Sequence, residues 1–218
     1  MTYKYILVYC LFIPALLIAF TSCNDSTTTA PITDSLDPIS EVSLIPGAEN
    51  STIIVNRSSE TYFSVEFMNI SSNKIIGNDI REGWCIDWQK PIDSNGGIYT
   101  NIPLYSTFNV EKWNPLNFLL NIKEQLKADD PEITFREIQI AIWSLRGFPK
   151  FDLDTINIQE IHGRMHDNGV PTFSAEKVKE ILQIVENGYK DFAFIPGTKF
   201  AVIAETPVDV QTVITVAR

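Results

Sequence analysis

The hydrophobic period of this chain changes twice, and that change limits its fold class more than any other feature. Residues Glu41 to Ile45, Ser51 to Val55 and Tyr62 to Ile70 are rich in β-branched and aromatic side chains. In the last of these, Phe63, Val65 and Phe67 alternate with Ser64 and Glu66, the two-residue repeat of a half-buried strand. Gly83 to Trp88 reads as a short apolar strand, and Ile98 to Tyr105 as another after the turn Asp93-Ser94-Asn95-Gly96-Gly97. The period then lengthens. Asn114-Pro115 opens a helix to about Lys127 with the apolar face Leu116, Phe118, Leu119, Leu120, Ile122 and Leu126. Thr134, three residues before Glu137, has capping-box spacing for a second helix through Arg146, with Gly147 as its stop. A third helix runs from the cap Ser174 to Asn187, with Val178, Ile181, Leu182 and Val185 on one face. Strands return at Lys199 to Glu205 and Val210 to Val216. This order predicts an α+β fold, a β-rich sandwich or barrel-like scaffold with a three-helix insertion. No internal repeat is present, which excludes solenoids and propellers.

Composition narrows the class further. With 44% hydrophobic and 20% charged residues over 218 positions, the chain is globular for most of its length. A net charge of -10 and a pI near 4.7 offer a phosphate backbone or an anionic bilayer surface nothing to bind, so nucleic acid is not an expected partner.

The first stretch reads as a targeting segment. Lys4 precedes an apolar run of about 16 residues from Tyr5 to Phe20, the n-region and h-region of a secretory signal and shorter than the roughly 20 residues that span a bilayer. The run ends in Phe20-Thr21-Ser22-Cys23, which resembles a bacterial lipobox in which Cys23 becomes the lipidated N-terminus. Asp25 resembles the surface-export signals of some Gram-negative lipoproteins. The Thr-rich stretch after Cys23 reads as a tether. The expected organisation is a lipoprotein signal over residues 1–22, a flexible tether over 23–38 and a single domain over 39–218. The expected location is the cell envelope, lipid-anchored at the outer membrane or cell surface.

Cysteine arithmetic isolates one side chain. Cys10 lies in the signal and Cys23 is the lipidation site, so the exported domain keeps only Cys85. A lone thiol where disulfides form is a buried inert group, an intermolecular bond or a reactive centre, and a small buried hydrophobe is the plain alternative.

Two segments carry a resemblance. Gly83-Trp84-Cys85-Ile86-Asp87 and Ile138-Gln139-Ile140-Ala141-Ile142-Trp143-Ser144-Leu145 resemble the paired signatures of the thioester domain of Gram-positive surface adhesins and pilus tips. The match extends loosely over residues 60 to 218. The resemblance implies an internal thioester between Cys85 on a strand and Gln139 on a helix, no cofactor and no metal. It further implies covalent capture of amines on host or neighbouring-cell surface proteins, or of other amine nucleophiles. It implies self-modifying, single-turnover acyl chemistry, so the chain is not expected to be an enzyme in the ordinary sense.

The residue types fit that chemistry. A thiolate attacking a carboxamide must expel ammonia, which is slow unless the partners are held together, where effective molarities of order 10⁵ M or more arise. Trp84, Ile86, Ile140, Ile142 and Trp143 are the apolar neighbours expected to exclude hydrolytic water, with Ala141 also among the expected surroundings, although aromatics at such spacing also serve as plain core. Asp87 and Glu137 are the acidic neighbours, Glu137 a candidate for assisting proton transfer or a solvated helix-face carboxylate. Two other classes stay open: a noncovalent protein- or carbohydrate-binding lipoprotein of the same fold, and a hydrolase built on Cys85 and His162. His162 and His166, with Glu160 and Asp167 near them, have metal-pair spacing, but Gly163, Gly169 and Pro171 predict a loop there.

Overall fold

The computed structural model describes residues 38–218. The expected signal, Cys23 and the tether up to residue 37 lie outside the described residues. The fold is α+β. Eight strands form one antiparallel sheet in the order β1-β6-β9-β10-β4-β3-β2-β5. They are β1 (Ser43–Leu44), β2 (Ser51–Arg57), β3 (Phe63–Met68), β4 (Ile80–Cys85), β5 (Asn95–Ile102), β6 (Leu104–Ser106), β9 (Phe200–Ala204) and β10 (Val213–Ala217). A separate hairpin pairs β7 (His166–Asp167) with β8 (Val170–Pro171).

The expected strand from Ile98 to Tyr105 is two strands. Pro103 lacks an N–H and breaks the ladder. On one side of it β5 pairs with β2, with Ile102 opposite Ser51; on the other, β6 pairs with β9 and β1. One residue therefore joins strands from opposite ends of the sheet order, so the sheet must curl on itself and the scaffold is barrel-like. The Gly83 to Trp88 strand is also shifted: β4 starts at Ile80 and ends at Cys85. Its polar first half pairs with β3, which carries the expected alternation with Phe63, Val65 and Phe67 buried. Gly83 sits opposite Phe63, and a Cβ added there would collide with the Val65 side chain. Glycine at that position thus lets β3 and β4 approach.

The three helices lie between β6 and β9, as expected: α1 (Asn114–Asp129), α2 (Phe135–Arg146) and α3 (Ala175–Gly188). Pro115 occupies the first turn of α1. Thr134 and Glu137 make the complete capping box at α2, and Ser174 Oγ accepts the Lys177 N–H at 3.2 Å to start α3. Gly147 ends α2 without a left-handed residue; it is extended (φ -60°, ψ 139°), and a side chain there would meet the Trp143 carbonyl. One continuous core runs from β2, β3 and β4 through α1 and α2 to β9 and β10. No helix among the described residues is long and apolar enough to cross a membrane.

Candidate functional site

The end of β4 and the middle of α2 meet in the core. Just past β4, Ile86 donates its N–H to the carbonyl of Thr212, the residue before β10, at 3.2 Å. Neighbouring residues of a strand point their backbone groups to opposite sides, so the N–H and C=O of Cys85 face the β3 side. Pairing of β3 with β4 stops at Phe63 and Gly83, which leaves those two groups without a strand partner. The Gln139 carboxamide takes the vacated ladder position. Its Oε1 accepts the Cys85 N–H at 3.0 Å, and its Nε2 donates to the Cys85 carbonyl at 2.7 Å. Cys85 and Gln139 are both completely buried. The chain after α2 holds this junction closed. Phe148 donates its N–H to the Ile86 carbonyl at 2.7 Å, Phe148 bridges to Asp87, and the Trp88 indole donates to the Pro149 carbonyl at 2.6 Å.

The surroundings of the thiol are aromatic. Burial pushes the Cys85 thiol well above its usual ionisation range; the Trp143 indole and Tyr62 hydroxyl facing the sulfur oppose this, and the Asp87 carboxylate adds to it. At neutral pH the group is a thiol. The Tyr62 and Trp143 rings meet edge to face at 5.9 Å, and Trp143 packs against Phe151 at 5.7 Å. The segment 147–173 covers these rings with Phe151, His162 and Arg164. Arg164 fastens it: the guanidinium donates to the carbonyls of Tyr62 and Ser58 and lies 5.1 Å from the Tyr62 ring centre.

Two solved structures are similar to this chain. The N-terminal thioester domain of the fibronectin-binding protein SfbI from Streptococcus pyogenes aligns with TM-score 0.44 and 13% identity, covering 78% of this chain and 93% of that one. The N-terminal domain of the Streptococcus pyogenes pilus tip adhesin Cpa aligns with TM-score 0.45 and 12% identity, covering 80% and 95%. No protein-family model and no curated protein matches the chain.

The other expected site residues serve the packing and closure of the two elements. Ala141 is buried on α2. Trp84 precedes Cys85 on the strand and so projects from its opposite face, beneath the Lys123 ammonium 5.8 Å from its ring. Asp87 ties the strand end down: Oδ2 accepts the Thr212 N–H at 2.8 Å and Oδ1 lies 3.2 Å from Lys90 Nζ. Glu137 is neither solvated nor free for proton transfer. Its Oε2 accepts from the Thr134 N–H and hydroxyl at 2.8 and 2.6 Å, and its Oε1 accepts the Ser174 N–H at 2.9 Å, so one buried carboxylate caps α2 and ties it to the start of α3. His162 makes no hydrogen bond to Cys85. Its Nδ1 accepts the Arg164 N–H at 3.2 Å, and its ring stands 6.1 Å from that of Tyr62. The Nδ1 of His166 accepts the Gly169 N–H at 3.3 Å. Tyr62 is the residue that sequence reasoning missed, since nothing near it in the chain announces a neighbour 23 positions later.

Proposed function

We propose that this domain forms a thioester between Cys85 and Gln139 and uses it to attach a cell surface covalently to amine-bearing partners. The observation that carries the reading is the bidentate seating of the Gln139 carboxamide on the backbone of the one cysteine among the described residues, at 3.0 and 2.7 Å in a dry core. The reactive carbon is thereby anchored beside the residue bearing the nucleophile. In the forming reaction the Cys85 sulfur adds to Gln139 Cδ, the C–N bond breaks, and the thiol proton leaves with the nitrogen as ammonia. Negative charge develops on Oε1, the atom that already accepts the Cys85 N–H, so that N–H acts as an oxyanion donor. Placement does most of the work: effective molarities of roughly 10⁵ M and above offset the poor electrophilicity of an amide. Water is kept from the product by Tyr62, Trp143 and Ile140, all fully buried.

An incoming amine, a lysine side chain on a partner protein or a smaller amine, attacks the same carbon. It leaves an amide at Gln139 and a thiol at Cys85. Each domain reacts once, as a ligature and not as a turnover catalyst. Lipidation of Cys23 is the proposed anchor at the cell envelope, tested by Cys23→Ser: membrane association is expected to be lost, and unchanged association would refute it. The chemistry is tested with methylamine. The expected result is a methylamide at Gln139 with a newly titratable thiol at Cys85, absent in Cys85→Ala; a protein that takes up no amine contradicts the reading.

A second reading is favoured by a specific observation. Asn121 seats its carboxamide on the N–H and C=O of Lys199 at 2.9 and 2.8 Å, and Asn78 does the same on Ile70 at 2.8 and 2.9 Å. The device is therefore used elsewhere as pure scaffold. If Gln139 is also scaffold, the domain is a noncovalent binding module of the same fold, and the methylamine experiment separates the two.

A further inference from the structure

Opening the thioester makes a sulfur leaving group in a place that disfavours its charge. Cys85 is wholly buried, and the Arg164 charge, which favours the thiolate, is outweighed by that burial. A bare thiolate expelled there costs several times more than in water. The proton must reach sulfur as the bond breaks.

Two donors act on that sulfur. The Trp143 indole N–H and the Tyr62 hydroxyl are both buried on rings that meet edge to face at 5.9 Å, and neither is engaged in a hydrogen bond elsewhere in the fold. Buried polar groups are usually hydrogen-bonded, so each unpartnered one calls for an explanation. An indole N–H can hold a developing negative charge but does not surrender its proton; a phenol can. Burial, then the neighbouring Cys85, keeps the Tyr62 hydroxyl protonated well past the ordinary tyrosine range, which is the state a donor needs. His162 is not a substitute, because its Nδ1 is engaged by the Arg164 N–H and its ring meets Tyr62 edge-on without a hydrogen bond. Arg164 fixes the Tyr62 ring from above, 5.1 Å from its centre, while donating to the Tyr62 carbonyl.

We infer that the Tyr62 hydroxyl is the catalytic proton donor to the Cys85 sulfur when an amine opens the thioester. The inference rests on the thioester reading above. The amine nitrogen bonds to Gln139 Cδ, and the C–S bond breaks with its electron pair moving to sulfur. Tyr62 gives its proton to that sulfur and regains one from the nitrogen, which has one too many after attack. The products are a neutral amide, a neutral thiol and an unchanged tyrosine. By microscopic reversibility the same hydroxyl carries the thiol proton toward departing ammonia when the bond first forms.

The test is Tyr62→Phe in the full domain, read by intact mass and by the rate of methylamine uptake. Removing the Tyr62 hydroxyl leaves the ring contacts with Phe63, Trp143 and His162 in place, so the fold is expected to persist. The bond that has formed in the variant should exchange with methylamine about a hundredfold more slowly than in the wild type. A folded variant that stays at full sequence mass gives the same result from the forming direction. A second substitution, a fluorinated tyrosine at position 62, keeps shape and packing but makes the phenol more acidic; faster exchange is expected, and an unchanged rate would mean that Tyr62 only packs. Exchange of Tyr62→Phe at the wild-type rate overturns the inference while leaving the thioester standing. A wild-type domain without the ammonia deficit overturns the thioester reading, and the role of Tyr62 with it.

Discussion

Gln139 on Cys85 and Asn121 on Lys199 are the same hydrogen-bonded figure in two places. Each is a helix-borne carboxamide that accepts the N–H and donates to the C=O of one residue at the edge of a strand, with all four distances between 2.7 and 3.0 Å. Asn121 sits on α1 and receives Lys199, the residue before β9; Gln139 sits on α2 and receives the last residue of β4. At Asn121 the strand residue carries an ammonium on a flexible stem and the pair is only partly buried. At Gln139 the strand residue carries a thiol, the pair is sealed, and two idle donors face the sulfur. Seating a carboxamide is thus an inexpensive way to finish a sheet edge. The two seats differ in what surrounds them.

The comparison is broken most severely by removing the carboxamide from the buried seat. Gln139→Ala leaves the Cys85 N–H and C=O unsatisfied and opens a cavity, so unfolding in urea should show a loss of about 3 kcal/mol, together with loss of any amine uptake. Asn121→Ala should cost about 1–2 kcal/mol, since water reaches that partly exposed seat, and the Cys85 chemistry should be unchanged. Equal losses at the two seats would remove the distinction drawn from burial.

Loosening the cover sharpens the comparison from another side. Arg164→Ala removes the bonds to the Ser58 and Tyr62 carbonyls and the cation over the Tyr62 and Phe135 rings. The expected cost is about 1–2 kcal/mol, with faster amide hydrogen exchange across residues 147–173 and faster methylamine uptake. Exchange unaltered over that segment would show that Arg164 does not fasten it.

The smallest expected effect is on acid stability. Burial, then the Arg164 charge, lowers the pKa of His162. The unfolded chain therefore binds the proton more readily, and stability is held above the ordinary histidine value near 6.5 and lost as pH falls below it through the lowered folded value. Replacing His162 with Gln should flatten that acid slope, measured as the urea midpoint from pH 7.5 to 5. An unchanged slope would place the acid sensitivity elsewhere.

Much of this was legible in the sequence because it is local. The capping box at Thr134 and Glu137, Pro115 in the first turn of α1 and the alternation in β3 all rest on residues within a few positions of one another. The break at Pro103 was readable from its missing N–H, yet the apolar run across it masks two strands as one. Tyr62, the second contact of Glu137 to Ser174 and the Asn121 seat depend on partners 23, 37 and 78 positions away. No period or motif encodes such pairs. Cys85 and Gln139 stand 54 positions apart and were found only because a resemblance joined their two motifs; spacing alone left Cys85 as a buried thiol.

The central claim is tested most directly by the intact mass of the purified domain under nondenaturing, amine-free conditions, compared with Cys85→Ala. Formation of the bond expels one ammonia, so the wild type should be lighter than its sequence by one ammonia and the variant should match its sequence. A wild-type domain at full sequence mass, with Cys85 titratable once unfolded, would contradict the account and leave Gln139 as a second Asn121.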